Sequence, residues 1–164
     1  MTSQLNRRSF ARHIVAVSSS GIIAGCGGSS NGSTADSGGS AQSTPAGRNV
    51  SEYLSNSANF DGDPTVKTSA DVVSVKVGAE GNGGAYAYAP VAVEISTGTT
   101  VSWEWTGNGS THNVVSEGDG PLDSGSPVAE ASTNYEHTFE ESGTHLYYCT
   151  PHKSMGMKGA VIVR

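Results

Sequence analysis

The stretch Thr144-His145-Leu146-Tyr147-Tyr148-Cys149-Thr150-Pro151-His152-Lys153-Ser154-Met155-Gly156-Met157-Lys158-Gly159-Ala160-Val161-Ile162-Val163 reads as two strands joined by a short loop. Thr144 to Cys149 is the first strand, with Tyr147 and Cys149 at the same parity and Tyr148 facing the other way. The second runs from about Gly159 to Val163. Between them a thiol, an imidazole and a thioether fall within nine residues, Cys149 to Met157. Three such donors can come from one loop, but a loop cannot surround an ion alone. The remaining donor must arrive from elsewhere in the fold, and His112, in Thr111-His112-Asn113-Val114-Val115, is the candidate.

Outward from that stretch the signal is strand and turn, with no run at helical period. Val73, Val75 and Val77 alternate with Ser74 and Lys76, which buries one face. Gly81-Asn82-Gly83-Gly84 is a turn, Ala85 to Ala89 leads through Pro90 to Val91, Val93 and Ile95, and Thr97-Gly98 breaks the run. Thr99 to Trp105 puts Val101, Trp103 and Trp105 on one face, and Gly107-Asn108-Gly109 turns the chain into a strand carrying His112. Glu117 to Pro127, with three Gly and two Pro, is a surface loop. Asn134 to Phe139 is a strand and Glu140-Glu141-Ser142-Gly143 a turn, while Asn49 to Leu54 gives one helical turn. Short strands with turn signals at this spacing make an all-β sandwich of about seven to eight strands.

One Cys thiolate, two imidazoles and a weakly held Met sulfur form the donor set of a blue-copper electron-transfer site. The alternative is a buried small Cys, a surface His and a packing Met. Cys149-Thr150-Pro151-His152 followed by Gly156-Met157-Lys158-Gly159-Ala160-Val161 resembles the ligand loop of cupredoxins of the plastocyanin and amicyanin type. Trp103-Glu104-Trp105-Thr106-Gly107, His112-Asn113-Val114-Val115 and Tyr147 to Lys153 most resemble the halocyanins, membrane-bound small blue copper proteins of extreme halophiles. The resemblance covers roughly residues 50–164.

The resemblance implies a Greek-key sandwich and one copper ion cycling between Cu(I) and Cu(II), held by His112, Cys149, His152 and one methionine. Counting from His152 does not choose between Met155 and Met157. Both related loop types place the axial Met two residues before the Gly that opens the next strand; Gly159 here selects Met157. The resemblance further implies a buried His112, an exposed edge on His152 as the electron port, and an Asn113 that ties the two ligand loops and points its backbone N–H at the thiolate. Related proteins often carry an aromatic residue where this chain has His145, a departure that bears on core packing. His137 alternates with Tyr135 and Phe139, so it and His145 are core or rim histidines and a second metal site is not expected.

The N-terminal residues differ in kind. Asn6-Arg7-Arg8-Ser9-Phe10-Ala11-Arg12 resembles a twin-arginine export signal. The run His13 to Gly25 is short and rich in Ser, whereas a spanning helix needs about 20 apolar residues. Ile23-Ala24-Gly25-Cys26 resembles a lipobox, in which Cys26 is lipidated and becomes the new N-terminus; an ordinary cleaved signal peptide is the alternative. Residues 26–47, nearly all Gly, Ser, Thr, Ala, Asn and Asp after Cys26, bury too little to fold and read as a flexible linker. Such a coil spans roughly 25 Å for about 20 residues. The copper domain is then 48–164. A disulfide between Cys26 and Cys149, the two cysteines of the chain, is not expected, because each has its own task.

The whole chain of 164 residues carries a net charge of −6; without residues 1–25 six Lys and Arg face fifteen Asp and Glu, leaving −9. That balance argues against nucleic acid as a partner. It fits solubility in high salt or docking of a basic redox partner, and scattered acids with four Lys favour the former. Asn31, Asn49 and Asn108 lie in Asn-x-Ser sequons of a surface protein. The expectation is a monomeric, lipid-anchored electron carrier on the outer face of the cell membrane, serving redox proteins of an electron-transport chain. It is not expected to be an enzyme, since the chain offers no acid–base pair near the metal and no open coordination position. Two further readings are copper storage or delivery, and an accessory domain of a copper oxidase.

Overall fold

A computed structural model describes residues 49–164. The twin-arginine motif, Cys26, the linker and the sequon at Asn31 lie outside the described residues.

The described chain opens with one helical turn, α1 (Val50–Tyr53). Asn49 caps it, its Oδ1 accepting the Glu52 N–H at 2.7 Å, so a stretch too short to persist alone begins with a satisfied donor. Nine strands follow: β1 (Thr65–Val66), β2 (Val72–Gly81), β3 (Gly84–Ala89), β4 (Ala92–Ile95), β5 (Thr99–Trp105), β6 (Val115–Ser116), β7 (Asn134–Phe139), β8 (Gly143–Tyr148) and β9 (Lys158–Val163). They form two sheets, ordered β1-β4-β9-β8-β6 and β3-β2-β5-β7. The fold is the all-β sandwich that turn spacing and alternation imply. The strand count exceeds the expectation because β1 and β6 have two residues each, too few to show a period of two.

Alternation decides which side chains meet between the sheets. Val73, Val75 and Val77 of β2, Val101, Trp103 and Trp105 of β5, and Tyr147 of β8 share one core with Tyr88, Val161 and Val163. Trp103 lies edge-on to Tyr147, ring centroids 5.5 Å apart, a geometry that places a positive ring edge on a negative ring face. Tyr148 is half-buried while Tyr147 is fully buried, as strand parity requires.

The β8–β9 face turned away from that core is covered as well. Leu146 and Ala160 are register partners there, and with Val91 and Ala92 they pack against Tyr53 and Leu54 of the segment Asn49–Phe60. Leu54 is wholly buried, which by area is worth about 2 kcal/mol. A sheet buried on both faces needs no polar residues on either, and Ala160-Val161-Ile162-Val163 is accordingly a continuous apolar run.

Two expectations need correction. His112 does not lie on a strand: it makes an isolated bridge with Val128, and pairing resumes at Val115–Ser116. The loop from Glu117 to Pro127 does not merely cover the surface. Leu122 is 1% exposed and belongs to the main core, and its N–H is held by the Ser116 hydroxyl at 2.8 Å.

Candidate metal centre

The residues between β8 and β9 form a 3-10 turn, Thr150–Met155, closed by Gly156 in the left-handed region. Pro151 at its start lacks an N–H that the first turn would leave unpaired anyway. Backbone bonds tie the turn to itself: the Cys149 N–H donates to the Met157 carbonyl at 3.1 Å, and the Met157 N–H to the His152 carbonyl at 3.2 Å. The turn thereby faces Cys149, His152 and Met157 differently from Met155. Cys149 and Met157 are fully buried in the main core, His152 is half-buried, and Met155 is 43% exposed.

His112 arrives from the other side of the sandwich end. Its backbone N–H and carbonyl are both bonded to Val128, at 2.8 and 2.9 Å. Two core aromatics hold the same segment, the Trp105 indole N–H donating to the His112 carbonyl at 3.0 Å and the Tyr88 hydroxyl to the Asn113 carbonyl at 2.5 Å. These contacts substitute for the ladder of a true strand. Gly78, at φ 81°, leaves room for the ring, since a Cβ there would stand 3.2 Å from His112 Nε2 and closer still to the Asn108 carbonyl.

The three donor atoms converge. His112 Nδ1 and His152 Nδ1 lie 3.6 and 3.5 Å from Cys149 Sγ and 3.2 Å from each other. An ion about 2.0 Å from each nitrogen and about 2.3 Å from the sulfur, the lengths zinc shows to these donors, would impose separations of that size. The set therefore fits a borderline-soft metal ion. Among the described residues this is the group of His, Cys, Asp and Glu that could hold one.

Tautomer and charge agree. His112 Nε2 sits 2.9 Å from the Asn108 carbonyl oxygen, which can only accept, so Nε2 carries the proton and Nδ1 keeps its lone pair for the cluster. Burial pushes the His112 pKa down, the Asn108 hydrogen bond pulls it back, and neighbouring His152 lowers it further. Burial lowers His152 as well. Burial raises the Cys149 thiol, while backbone hydrogen bonds from Asn113 and His152 lower it. An N–H aimed at the sulfur favours the thiolate, the form that binds metal.

Asn113 bridges the two ligand segments with both ends of its amide. Its Oδ1 accepts the Thr150 N–H at 2.8 Å, and its Nδ2 donates to Thr150 Oγ1 at 3.1 Å and to the Gly125 carbonyl at 3.0 Å.

Tyr86 was not singled out in the sequence. Its ring packs on His152, centroids 4.7 Å apart, and lies edge-on to His112 at 6.4 Å. It sits two residues from core Tyr88 on β3, so alternation signals its face; that this end of the strand meets the ligand turn depends on sheet packing. His137 and His145 stay apart from the cluster. They flank Phe139, each ring 4.7 Å from it, as rim histidines.

Residues 73–164 match the family model of copper binding proteins, plastocyanin/azurin family. The chain is 42% identical to halocyanin from Natronomonas pharaonis over 161 residues, covering 97% of this chain and 98% of that one. Among solved structures it is similar to oxidised plastocyanin from Dryopteris crassirhizoma, with 26% identity, 56% of this chain and 100% of that chain covered, and a TM-score of 0.46. A pseudoazurin from Methylobacterium extorquens AM1 is also 26% identical, over 57% of this chain and 75% of that chain, with a TM-score of 0.42. With the family model covering more than half of the chain and a near full-length relative at this identity, the chain belongs to the plastocyanin/azurin family of copper-binding electron carriers, the cupredoxins.

Proposed function

We propose that this cupredoxin is a lipid-tethered, monomeric one-electron carrier, with His112, Cys149 and His152 as strong ligands and Met157 as the weak axial one. The observation that carries the ligand set is the convergence of the two Nδ1 atoms and Sγ, all within 4.8 Å of one another. Met157 is chosen over Met155 because its side chain is wholly inside, beside Cys149, while Met155 faces solvent. Bound copper supplies the Cu(I)/Cu(II) couple. The protein's part is to hold the donors still. His112 is fixed from behind by a carbonyl, Asn113 clamps one ligand segment to the other, and the 3-10 turn is internally bonded. Little then has to move when the electron passes.

His152, half-buried at the end of the sandwich, is the exit for that electron, with Tyr86 against its ring. Partners are redox proteins of a membrane electron-transport chain. The twin-arginine motif at Arg7-Arg8, the lipobox at Cys26 and the Gly/Ser-rich linker support a protein held outside the cell membrane on a flexible leash. A single lipid chain binds only marginally, so stable anchoring at Cys26 requires more than one.

The test combines place and chemistry. Cys26→Ser should move the protein from the membrane to the soluble exported fraction, with its copper still cycling reversibly in voltammetry. Retention of the variant in the membrane would remove the tether, and loss of metal on each reduction would favour storage or delivery over carriage.

A further inference from the structure

The segment Asn49–Phe60 precedes the residues shared with the family model, yet it touches the ligand turn at its working points. Ser57 is 5% exposed, and its hydroxyl donates to the Gly156 carbonyl at 2.8 Å. That carbonyl belongs to the peptide unit whose N–H is Met157's own. Gly156 has φ 99°, and a Cβ there would collide with the Asn56 carbonyl, so the segment lies directly against the turn backbone. On the far side of Met157, Lys158 Nζ donates to Asn56 Oδ1 at 2.8 Å. On the strand entering the turn, the Tyr53 hydroxyl donates to the Tyr147 carbonyl at 3.0 Å, two residues before Cys149. The Ala58 N–H is bonded to Asn82 Oδ1 at 2.8 Å, and Asn82 Nδ2 donates to the carbonyl of Tyr86, whose ring lies on His152.

We propose that Asn49–Phe60 is a brace for the copper turn, with Ser57 as the positioning residue that sets where Met157 lies. The inference rests on reading Met157 as the axial ligand. Its physical basis is the weakness of that bond. A short strong ligand finds its own distance, whereas a long weak one stays where the backbone puts it. Here the Gly156 carbonyl accepts two donors, the Lys158 N–H at 2.9 Å from within the turn and the Ser57 hydroxyl at 2.8 Å from the segment, and the second is what ties the Gly156-Met157 backbone to the rest of the fold in a buried setting. A general packing role for the segment predicts something else: loss of stability without any change at the metal.

The two are separated by Ser57→Ala in the full-length protein, compared with Ile95→Val, which trims a fully buried core residue on β4. In copper-free protein, hydrogen exchange at the Gly156 and Met157 amides should become several-fold faster in Ser57→Ala and stay unchanged in Ile95→Val. In copper-loaded protein, Ser57→Ala should shift the reduction potential and the paramagnetic resonance spectrum of Cu(II), while Ile95→Val shifts neither at matched loss of thermal stability. Unchanged exchange and spectrum in Ser57→Ala would overturn the brace, as would equal changes in Ile95→Val. If Ser57→Ala speeds exchange but Met157→Leu leaves the potential untouched, the axial assignment falls and the brace stands.

Discussion

Two pairs of histidines occupy the described chain, and one strand connects them. His145 sits near the start of β8 beside His137, and Cys149 follows its end beside His112 and His152. The pairs share residue type and an aromatic neighbour, but little else. At the copper end the two Nδ1 atoms stand 3.2 Å apart around a thiol, and a carbonyl behind His112 fixes which nitrogen is free. At the other end Phe139 separates the rings, and the cleft around them is lined by Glu140, Glu141 and Pro121 rather than by a soft donor. Histidines make a metal site when the fold removes what lies between them and fixes their outer nitrogens. Proximity alone is not enough.

The largest expected break in that comparison comes from emptying each pair. His112→Ala should cost about 2–4 kcal/mol of stability in the copper-free protein, as for other large-to-small changes in a full core, and abolish the blue site. His152→Ala should cost far less, and added imidazole should restore its colour better than that of His112→Ala. His137→Ala and His145→Ala should leave the spectrum as it is. Equal rescue of the two site variants, read by absorption with and without imidazole, would contradict the buried and half-exposed assignments.

Acid sharpens the comparison further. Burial lowers His112, His152 and His145 below 6.5, with His137 adding to the effect on His145. The unfolded chain then takes up protons more readily than the folded one, so stability is complete above about pH 6.5 and is lost as pH falls through the depressed folded values. Copper-free protein should show this from three histidines. In copper-loaded protein the metal would keep His112 and His152 unprotonated in the folded state alone, which steepens the loss on acidification, so His145 is read in copper-free protein, where His145→Phe should reduce the slope without abolishing it. An unchanged slope in copper-free His145→Phe, measured by thermal melts from pH 5 to 8, would assign the effect elsewhere.

The smallest effect separates the two methionines. Met157→Leu should stay blue and raise the reduction potential, and Met155→Leu should change potential and spectrum little, because only Met157 lies inside. The reverse result would put the shorter loop register in its place.

Much of this was written locally in the chain. β7 spans Asn134–Phe139 as its alternation implies, and Val101, Trp103 and Trp105 share the buried face of β5. The proposed donors Cys149, His152 and Met157 are legible because one short stretch, the turn Thr150–Met155 and the residues flanking it, carries them all. His112 was legible as a residue but not in its setting. The bonds that hold it come from Trp105, Tyr88 and Val128, and the pattern around it mimicked a strand. Leu122, Tyr86 and Ser57 escaped notice for a related reason. Each acts through a partner distant in sequence, and neither composition nor period reports such a pairing.

The central claim is that Cys149, His112 and His152 hold one copper ion in a thiolate-dominated site. Titrating copper-free protein with Cu(II) while recording visible absorption tests it most directly. The account predicts an intense band near roughly 600 nm, as thiolate-to-copper charge transfer gives, saturating at one equivalent and absent from Cys149→Ser. A weak spectrum at saturation, or a band that persists in Cys149→Ser, would contradict it.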